Sequence, residues 1–431
     1  MSKRVTFIHA SDLHLGAPFR GLRALSSKWA NRLLSAIPES YDRMVDAAIA
    51  RDVDFVVVSG DIFDSARPSY GDYLHFFEGL ERLGEAGIPV YLITGNHDPY
   101  TSWQHDFFSL PPNATMLPGD RPGFALVERD GQPLCLIGGR GYYNQTWPMD
   151  ECIAEGVTRE AAEQALAVQH PHAAEAPFAV GLLHTGLNLD PVKAPVDPAV
   201  LMHAGMDYWA LGHIHMKYAY PSFDDPRLVF SGCIQGRDIK ETGERGVFCV
   251  TLREGAKNEL EFIPTASVVW QRMHVDVSDC ANLPDITDKI MRELFRENGY
   301  TTFGTGKWHS DKAAFNRSFS TGANIFFGGM HPYGNEKEEK GHRCPYLHEY
   351  DPTGKYKNGQ WVNASLNTFS SELYADAAIK FIETNASNDN PFLMYVAFTS
   401  PHDPRNVLPD YGRKYDSKEI TMPKNFITAS V

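Results

Sequence analysis

The stretch Val5-Thr6-Phe7-Ile8-His9-Ala10-Ser11-Asp12-Leu13-His14 decides the reading of this chain, because a short apolar run stops there at an acid and an imidazole. The same grammar returns four times. Runs over 55–59, 90–94, 178–183 and 208–211 stop at Gly60-Asp61, at Gly95-Asn96-His97-Asp98, at His184 and at His213-Ile214-His215. Short, and rich in Val, Ile, Leu and aromatics, these runs read as buried strands. Ligand sites in open α/β sheets collect outside the carboxyl ends of the strands. Five strands can therefore bring their end residues to one point although about 200 residues separate the first from the last.

Taken singly, each motif is ordinary. Asp-x-His after a strand is common turn chemistry, as is Gly-Asp, and a lone histidine is more often a satisfied, partly buried one. His213-x-His215 says more, since alternate residues of an extended chain face the same way and can grip one site. Gly95-Asn96-His97-Asp98 is the most specific. In order and together they point to a metal centre. Carboxylate, amide oxygen and imidazole without thiolate suit Mn, Fe or Zn rather than Ca or Mg. Asp12, His14, Asp61, Asn96, His184, His213 and His215 offer too many donors for one tetrahedral ion, but enough for two ions sharing a carboxylate. Asp61, central in the series, is the natural bridge.

The remaining sequence sets the frame. With 431 residues, 43% of them hydrophobic, the chain is long enough for two or three domains. Helical spacing over 70–86 and 150–170, and strand-like pairing over 228–251, predict a two-sheet α/β sandwich with helices outside. A further strand is expected over 271–277 and a helix over 284–297. The first apolar run begins at Val5, leaving no room for a signal peptide, and no apolar stretch reaches membrane-spanning length. Cys135, Cys152, Cys233, Cys249, Cys280 and Cys344 are scattered without a Cys-x-x-Cys pair, which fits a reducing cytoplasm. Residues 1–270 carry 22 Lys and Arg against 34 Asp and Glu, net −12. Arg20, Arg23, Lys28 and Arg32 form the one basic cluster near the first motif, able to meet a phosphate backbone or to serve as a solvated helix face.

On the metal motifs, the first 270 residues or so resemble the calcineurin-like metallophosphoesterases. The resemblance implies that Asp12, His14, Asp61 and His215 hold one ion, and that Asp61, Asn96, His184 and His213 hold the other. His97 stays free of the metals as general acid, with Asp98 fixing its tautomer. Within that superfamily, Gly60-Asp61-Ile62-Phe63-Asp64-Ser65-Ala66-Arg67-Pro68-Ser69 and Ala10-Ser11-Asp12-Leu13-His14-Leu15-Gly16 are similar to the SbcD and YhaO-type DNA repair exonucleases. The segment from Ser231 to Gly243 points to the YhaO branch. That likeness implies Mn-dependent removal of nucleotides from DNA ends by two divalent ions. It also implies an SbcC-like ATPase partner that supplies the grip an acidic domain lacks; a homodimer stays open.

From about Gly299 the text changes. Gly299-Tyr300-Thr301-Thr302, Gly306-Lys307-Trp308-His309 and the run from Phe392 to Arg405 are similar to sulfatases, with Lys307, His309 and His402 as expected sulfate contacts. The Cys-x-Pro-Ser-Arg context of that family's nucleophile is missing, as Cys280 is followed by Ala-Asn-Leu-Pro and Cys344 by Pro-Tyr-Leu. The expected layout is therefore a metallophosphoesterase domain over 1–270, the start of a capping domain over 271–298, and an incomplete, poorly ordered sulfatase-like α/β segment over 299–431, joined near 297–300 as in a fusion. His331, His342 and His348, with Glu336, Glu338 and Glu339, read as a polar loop rather than another metal site.

Overall fold

The computed structural model describes residues 3–18, 27–104, 109–278, 280, 283–309, 312–327, 347–356, 370–388 and 390–399. It divides into two units, Met1–Arg272 and Met273–Val431.

The N-terminal unit opens with β1 (Arg4–Ala10), α1 (Ser27–Ala50), β2 (Phe55–Ser59), α2 (Tyr70–Glu85), β3 (Val90–Ile93) and β4 (Ala114–Met116). It continues through β5 (Gly123–Arg129), β6 (Gln132–Arg140), α3 (Arg159–Leu166), β7 (Phe178–His184), α4 (Pro198–Met202), β8 (Tyr208–Gly212), β9 (Tyr218–Ser222) and β10 (Asp225–Phe230). Strands β11 (Gly246–Arg253) and β12 (Glu259–Pro264) close it. Two six-stranded sheets result, ordered β12-β11-β1-β2-β3-β4 and β5-β6-β7-β8-β10-β9.

Strand alternation builds the layers. Phe7, Phe55, Val57, Tyr91 and Ile93 of the first sheet meet Ile137, Val180, Leu182, Tyr208 and Ala210 of the second in one core. Their neighbours Ile8, Ala10, Val56, Val58 and Leu92 turn the other way, onto Tyr41, Met44 and Val45 of α1 and Phe76 and Leu80 of α2. Ala179, Leu183, Trp209 and Leu211 do the same on the far side, against Ala162, Leu166 and Leu201. Period-two side-chain direction thus yields helices, sheet, sheet, helices. Helix α2 forms where its pattern says: Ser69 and Asp72 make a reciprocal capping box, and Tyr73, Phe76, Phe77, Leu80 and Leu83 are its buried stripe.

Three expected elements differ. The helix expected over 150–170 starts only at Arg159, because Thr158 sits in extended backbone (φ −131°, ψ 159°) and caps Ala161. Ile153, Ala154 and Val157 are buried from turns instead. The strands within 228–251 do not pair with each other: β10 lies between β8 and β9, whereas β11 lies between β1 and β12. Alternation fixes which face a strand buries but not which strand it joins. No strand forms over 271–277.

The second unit holds α5 (Leu283–Glu297), β13 (Thr301–Trp308), α6 (Lys312–Ser318), β14 (Thr321–Phe327), β15 (Leu347–His348), α7 (Ser370–Asn385) and β16 (Phe392–Ala397). Its sheet runs β15-β14-β13-β16, with β13 parallel to both β14 and β16. Trp308, Phe315, Phe319, Ile325 and Tyr356 pack as one cluster, and Phe303 stacks on Phe381 of α7 at 4.4 Å. Lys307 is buried near the end of β13, His309 is exposed just beyond it, and His402 lies outside the described residues. His348 is buried beside Phe327 and Tyr356, while His331, His342, Cys344 and Glu336, Glu338 and Glu339 also lie outside. Among the described residues no helix is long and apolar enough to cross a membrane.

Candidate metal centre

All seven donors predicted from sequence stand at the carboxyl ends of β1, β2, β3, β7 and β8. Backbone bonds knit the loops together before any side chain is considered: Asp12 N donates to Gly60 O (3.1 Å), His14 N to Asp61 O (3.0 Å) and Leu15 N to Ile62 O (2.9 Å). Ser11 Oγ and Ser231 Oγ meet at 2.9 Å, and Ser59 Oγ donates to Ala210 O across the two sheets. Four of the donor residues sit at positive φ: Asp12 (51°), His14 (49°), Asp61 (50°) and His213 (101°). L-residues held there store about 1–3 kcal/mol of strain each, which the packed strands beneath must sustain.

The side chains form two adjoining groups. In the first, His14 Nε2 and His215 Nε2 are 3.1 Å apart, and Asp12 Oδ1 lies 3.6 Å from His215 Nε2. Two nitrogens each about 2.1 Å from one ion at right angles would be roughly 3 Å apart. In the second, His184 Nε2 lies 3.2 Å from Asn96 Oδ1 and 3.3 Å from Asp61 Oδ2, and the His213 ring centroid is 5.5 Å from that of His184. Asp61 Oδ2 is also 3.9 Å from His14 Nε2, and Asp12 clusters both with His14 and His215 and with Asp61 and His184, so the two carboxylates adjoin both groups. Gly95 makes that approach possible, since a Cβ there would collide with Asp61 Oδ1.

The electrostatics ask for a cation. Burial pushes the Asp61 carboxyl up, yet His184, His14 and His97 outweigh it and hold the group well below the usual carboxylate range. Burial pushes His184 down, but Asp61 overrides it and lifts the imidazole to about 9. Positive charge is therefore retained between two fully buried side chains, and a divalent ion would satisfy the same demand. Burial lowers the pKa of His14, and burial together with the charge of His184 lowers that of His213, which favours neutral, ligating imidazoles.

His97 stands beside these groups, and with His14 and Asp64 it forms a further cluster of possible ligand atoms. Its backbone N donates to Asp61 Oδ1 (2.8 Å), its Nδ1 meets Asp64 O at 2.8 Å, and its ring lies 5.0 Å from that of His14. The ring is thus oriented by the Asp64 carbonyl and not by Asp98, which corrects the role expected of Asp98. That carboxylate is buried and accepts from the backbone N–H groups of Gly95 (2.9 Å), Ile62 (3.0 Å) and Phe63 (3.3 Å), pinning the β2 and β3 loops together. Burial and the nearby Asp61 charge push it up to about 8.

Four supporting residues escaped the sequence reading. Asp190 Oδ2 takes His213 Nε2 (3.0 Å), leaving Nδ1 of that ring for a metal. Asp64, Arg237 and Glu241 flank His14 and His215. All four are polar loop residues of common type, and their partners lie far away in sequence. Cys233 also lies close to His215 and Glu241, but burial pushes its thiol up to about 12, so it contributes no thiolate. Of the basic cluster, Arg32 is bound to Glu39 and to Ser267 O, while Arg20, Arg23 and the Lys28 side chain lie outside the described residues.

Known proteins resemble both parts of the chain. The calcineurin-like phosphoesterase family model matches residues 5–217, and the sulfatase model matches residues 269–426. The uncharacterized metallophosphoesterase YhaO of Bacillus subtilis is 33% identical over 282 residues, covering 65% of this chain and 65% of its own. The DNA double-strand break repair protein Mre11 of Methanococcus maripaludis is 38% identical over 92 residues, covering 21% of this chain and 23% of its own. That of Methanopyrus kandleri is 25% identical over 285 residues, covering 61% and 57%. The chain spans less than two thirds of the length of each of these relatives.

Proposed function

We propose that the N-terminal unit, a calcineurin-like phosphoesterase domain and hence a metal-dependent hydrolase, cleaves phosphodiesters at DNA ends with two Mn ions. The observation that carries this reading is the convergence of Asp12, His14, Asp61, Asn96, His184, His213 and His215 into two groups that share Asp61. Similarity to proteins named as DNA double-strand break repair protein Mre11 adds DNA as the substrate class. Bound ions would supply an acidified water as nucleophile and would neutralise charge developing on the phosphoryl oxygens.

The chain's own residues do the rest. Asp12 and Asp61 would supply the anionic ligands, and His14, His184, His213 and His215 with Asn96 would complete both groups. His97 keeps its Nδ1–H on the Asp64 carbonyl, so an imidazolium there presents Nε2–H to the departing oxygen as general acid. Asp98 holds the loop that carries it.

The net charge of −12 over residues 1–270 favours a second reading, a hydrolase of small phosphodiesters, because DNA affinity rests on local positive charge. Under the first reading a partner, such as an SbcC-like ATPase, supplies the grip. Assaying linear duplex DNA, single-stranded DNA, a cyclic nucleotide and an aryl phosphodiester with Mn separates the two. The DNA reading expects end-dependent degradation that Asp61→Ala abolishes. It fails if the small diesters are cut while linear DNA is untouched.

A further inference from the structure

A closed polar ring runs behind the first metal group. His14 Nδ1 lies 3.1 Å from Asp64 Oδ1, and Asp64 Oδ1 lies 2.7 Å from Arg237 Nη1. Arg237 Nη2 lies 3.3 Å from Glu241 Oε1, and Glu241 Oε1 lies 2.6 Å from His215 Nδ1. The remaining Glu241 oxygen accepts the backbone N–H of Arg237 at 2.7 Å, so this carboxylate cannot swing away without releasing two partners. The ring closes where His14 Nε2 and His215 Nε2 face each other at 3.1 Å.

We infer that Asp64, Arg237 and Glu241 are positioning residues that set the first metal group by fixing the two imidazoles from behind. A metal-ligating imidazole nearly always donates its other ring N–H to a carboxylate, carbonyl or water, and that partner sets ring angle and basicity. Here Glu241 holds His215 Nδ1 in a hydrogen bond, while Asp64 lies 3.1 Å from His14 Nδ1 as a charge contact without hydrogen-bond geometry, and both Nε2 atoms turn to one point. Two carboxylates so close would repel, and Arg237 stands between them with one guanidinium nitrogen on each. The second group has separate supports, Ser59 O on His184 Nδ1 (2.9 Å) and Asp190 on His213, neither of which touches the ring.

This separation gives the inference its content: loss of the clamp should weaken one ion and spare the other. Asp64 adds a link to catalysis, since its carboxylate lies against His14 while its carbonyl orients His97. The clamp should therefore also set the distance between the first ion and the acid. This rests on the two-metal reading above, but its test does not depend on the substrate.

The experiment is Mn titration of the metal-free full chain by calorimetry, with electron paramagnetic resonance to distinguish coupled pairs from single ions. Wild type is expected to bind two ions and give a coupled signal. Glu241→Ala and Arg237→Ala should each keep one site within about threefold and weaken the other by about 10–100-fold, leaving an isolated-ion signal at limiting metal. Glu241→Gln, nearly isosteric and still able to accept from His215, should fall in between, which guards against loss of fold in the alanine variants. Two sites of wild-type affinity in Glu241→Ala, or equal weakening of both, would overturn the clamp and leave the dimetal reading intact. Failure of wild type to bind two ions would sink both.

Discussion

His14 and His215 are 201 positions apart in the chain, yet their Nε2 atoms face each other across 3.1 Å. Two ring acceptors cannot share that gap as neutral rings unless one donates, so the contact is stable with a proton or a cation in it. Metal binding should accordingly raise thermal stability. At a Mn concentration 100 times the dissociation constant, the gain is expected at about 2.7 kcal/mol per site, reversed by chelation. Differential scanning calorimetry with and without chelator checks this, and an unchanged midpoint would count against the centre.

Replacing His97 with Ala should separate catalysis from metal binding. The imidazole stands beside the ligands without belonging to either group, so both ions should stay while kcat falls by about 10²–10⁴. Loss of an ion in His97→Ala would place that residue among the ligands instead.

Gly95→Ala should act through Asp61. The added Cβ would press on Asp61 Oδ1 and its backbone nitrogen, displacing the carboxylate common to both groups. Affinity for both ions should drop about tenfold or more, measured by the same calorimetry, with little change in far-ultraviolet dichroism.

Acid stability should carry the mark of His9, a buried histidine of β1 outside the donor set. Burial drives its pKa down to about 3, and its Nδ1 is bonded to Tyr208 Oη at 2.9 Å. With the folded value below the unfolded one near 6.5, the unfolded chain binds the extra proton. Stability attributable to His9 is therefore full above about pH 6.5 and falls by about 1.4 kcal/mol per unit as pH drops toward 3. Urea melts of His9→Leu should show a flatter slope over that range; an identical slope would exclude the assignment.

A chain ended after Arg272 should retain the metal centre. Every ligand and clamp residue lies at or before Glu241, and the three apolar clusters of the first unit end at Ile263. Metal affinities are expected within about threefold of the full chain, under about 1 kcal/mol. Loss of either ion on truncation would count against this.

The sequence was legible where one residue type at one position carries the signal. Apolar runs that stop at Asp, Asn or His gave the strands, their carboxyl ends and the candidate metal donors. It was not legible where the decisive fact is a partner. Glu241 is one acid among many until His215 Nδ1 is found 2.6 Å away. Asp98 suggested an orienting partner for the neighbouring His97, whereas its oxygens turn inward to three backbone N–H groups and Asp64 takes the imidazole. The strands within 228–251 show the same limit, since period-two burial is equally satisfied in either sheet.

By itself, the sequence determined the two-sheet α/β class, the donor set and the central place of Asp61, because hydrophobic period and ligand chemistry are local properties written residue by residue. Only the tertiary structure decided that Asp64, Arg237 and Glu241 close a ring behind His14 and His215, that Asp190 backs His213, and that Asp98 supports a loop. Those are contacts between segments as far as 173 residues apart, as for Asp64 and Arg237. Such contacts exist only after the packed sheets have fixed the loops on which they stand.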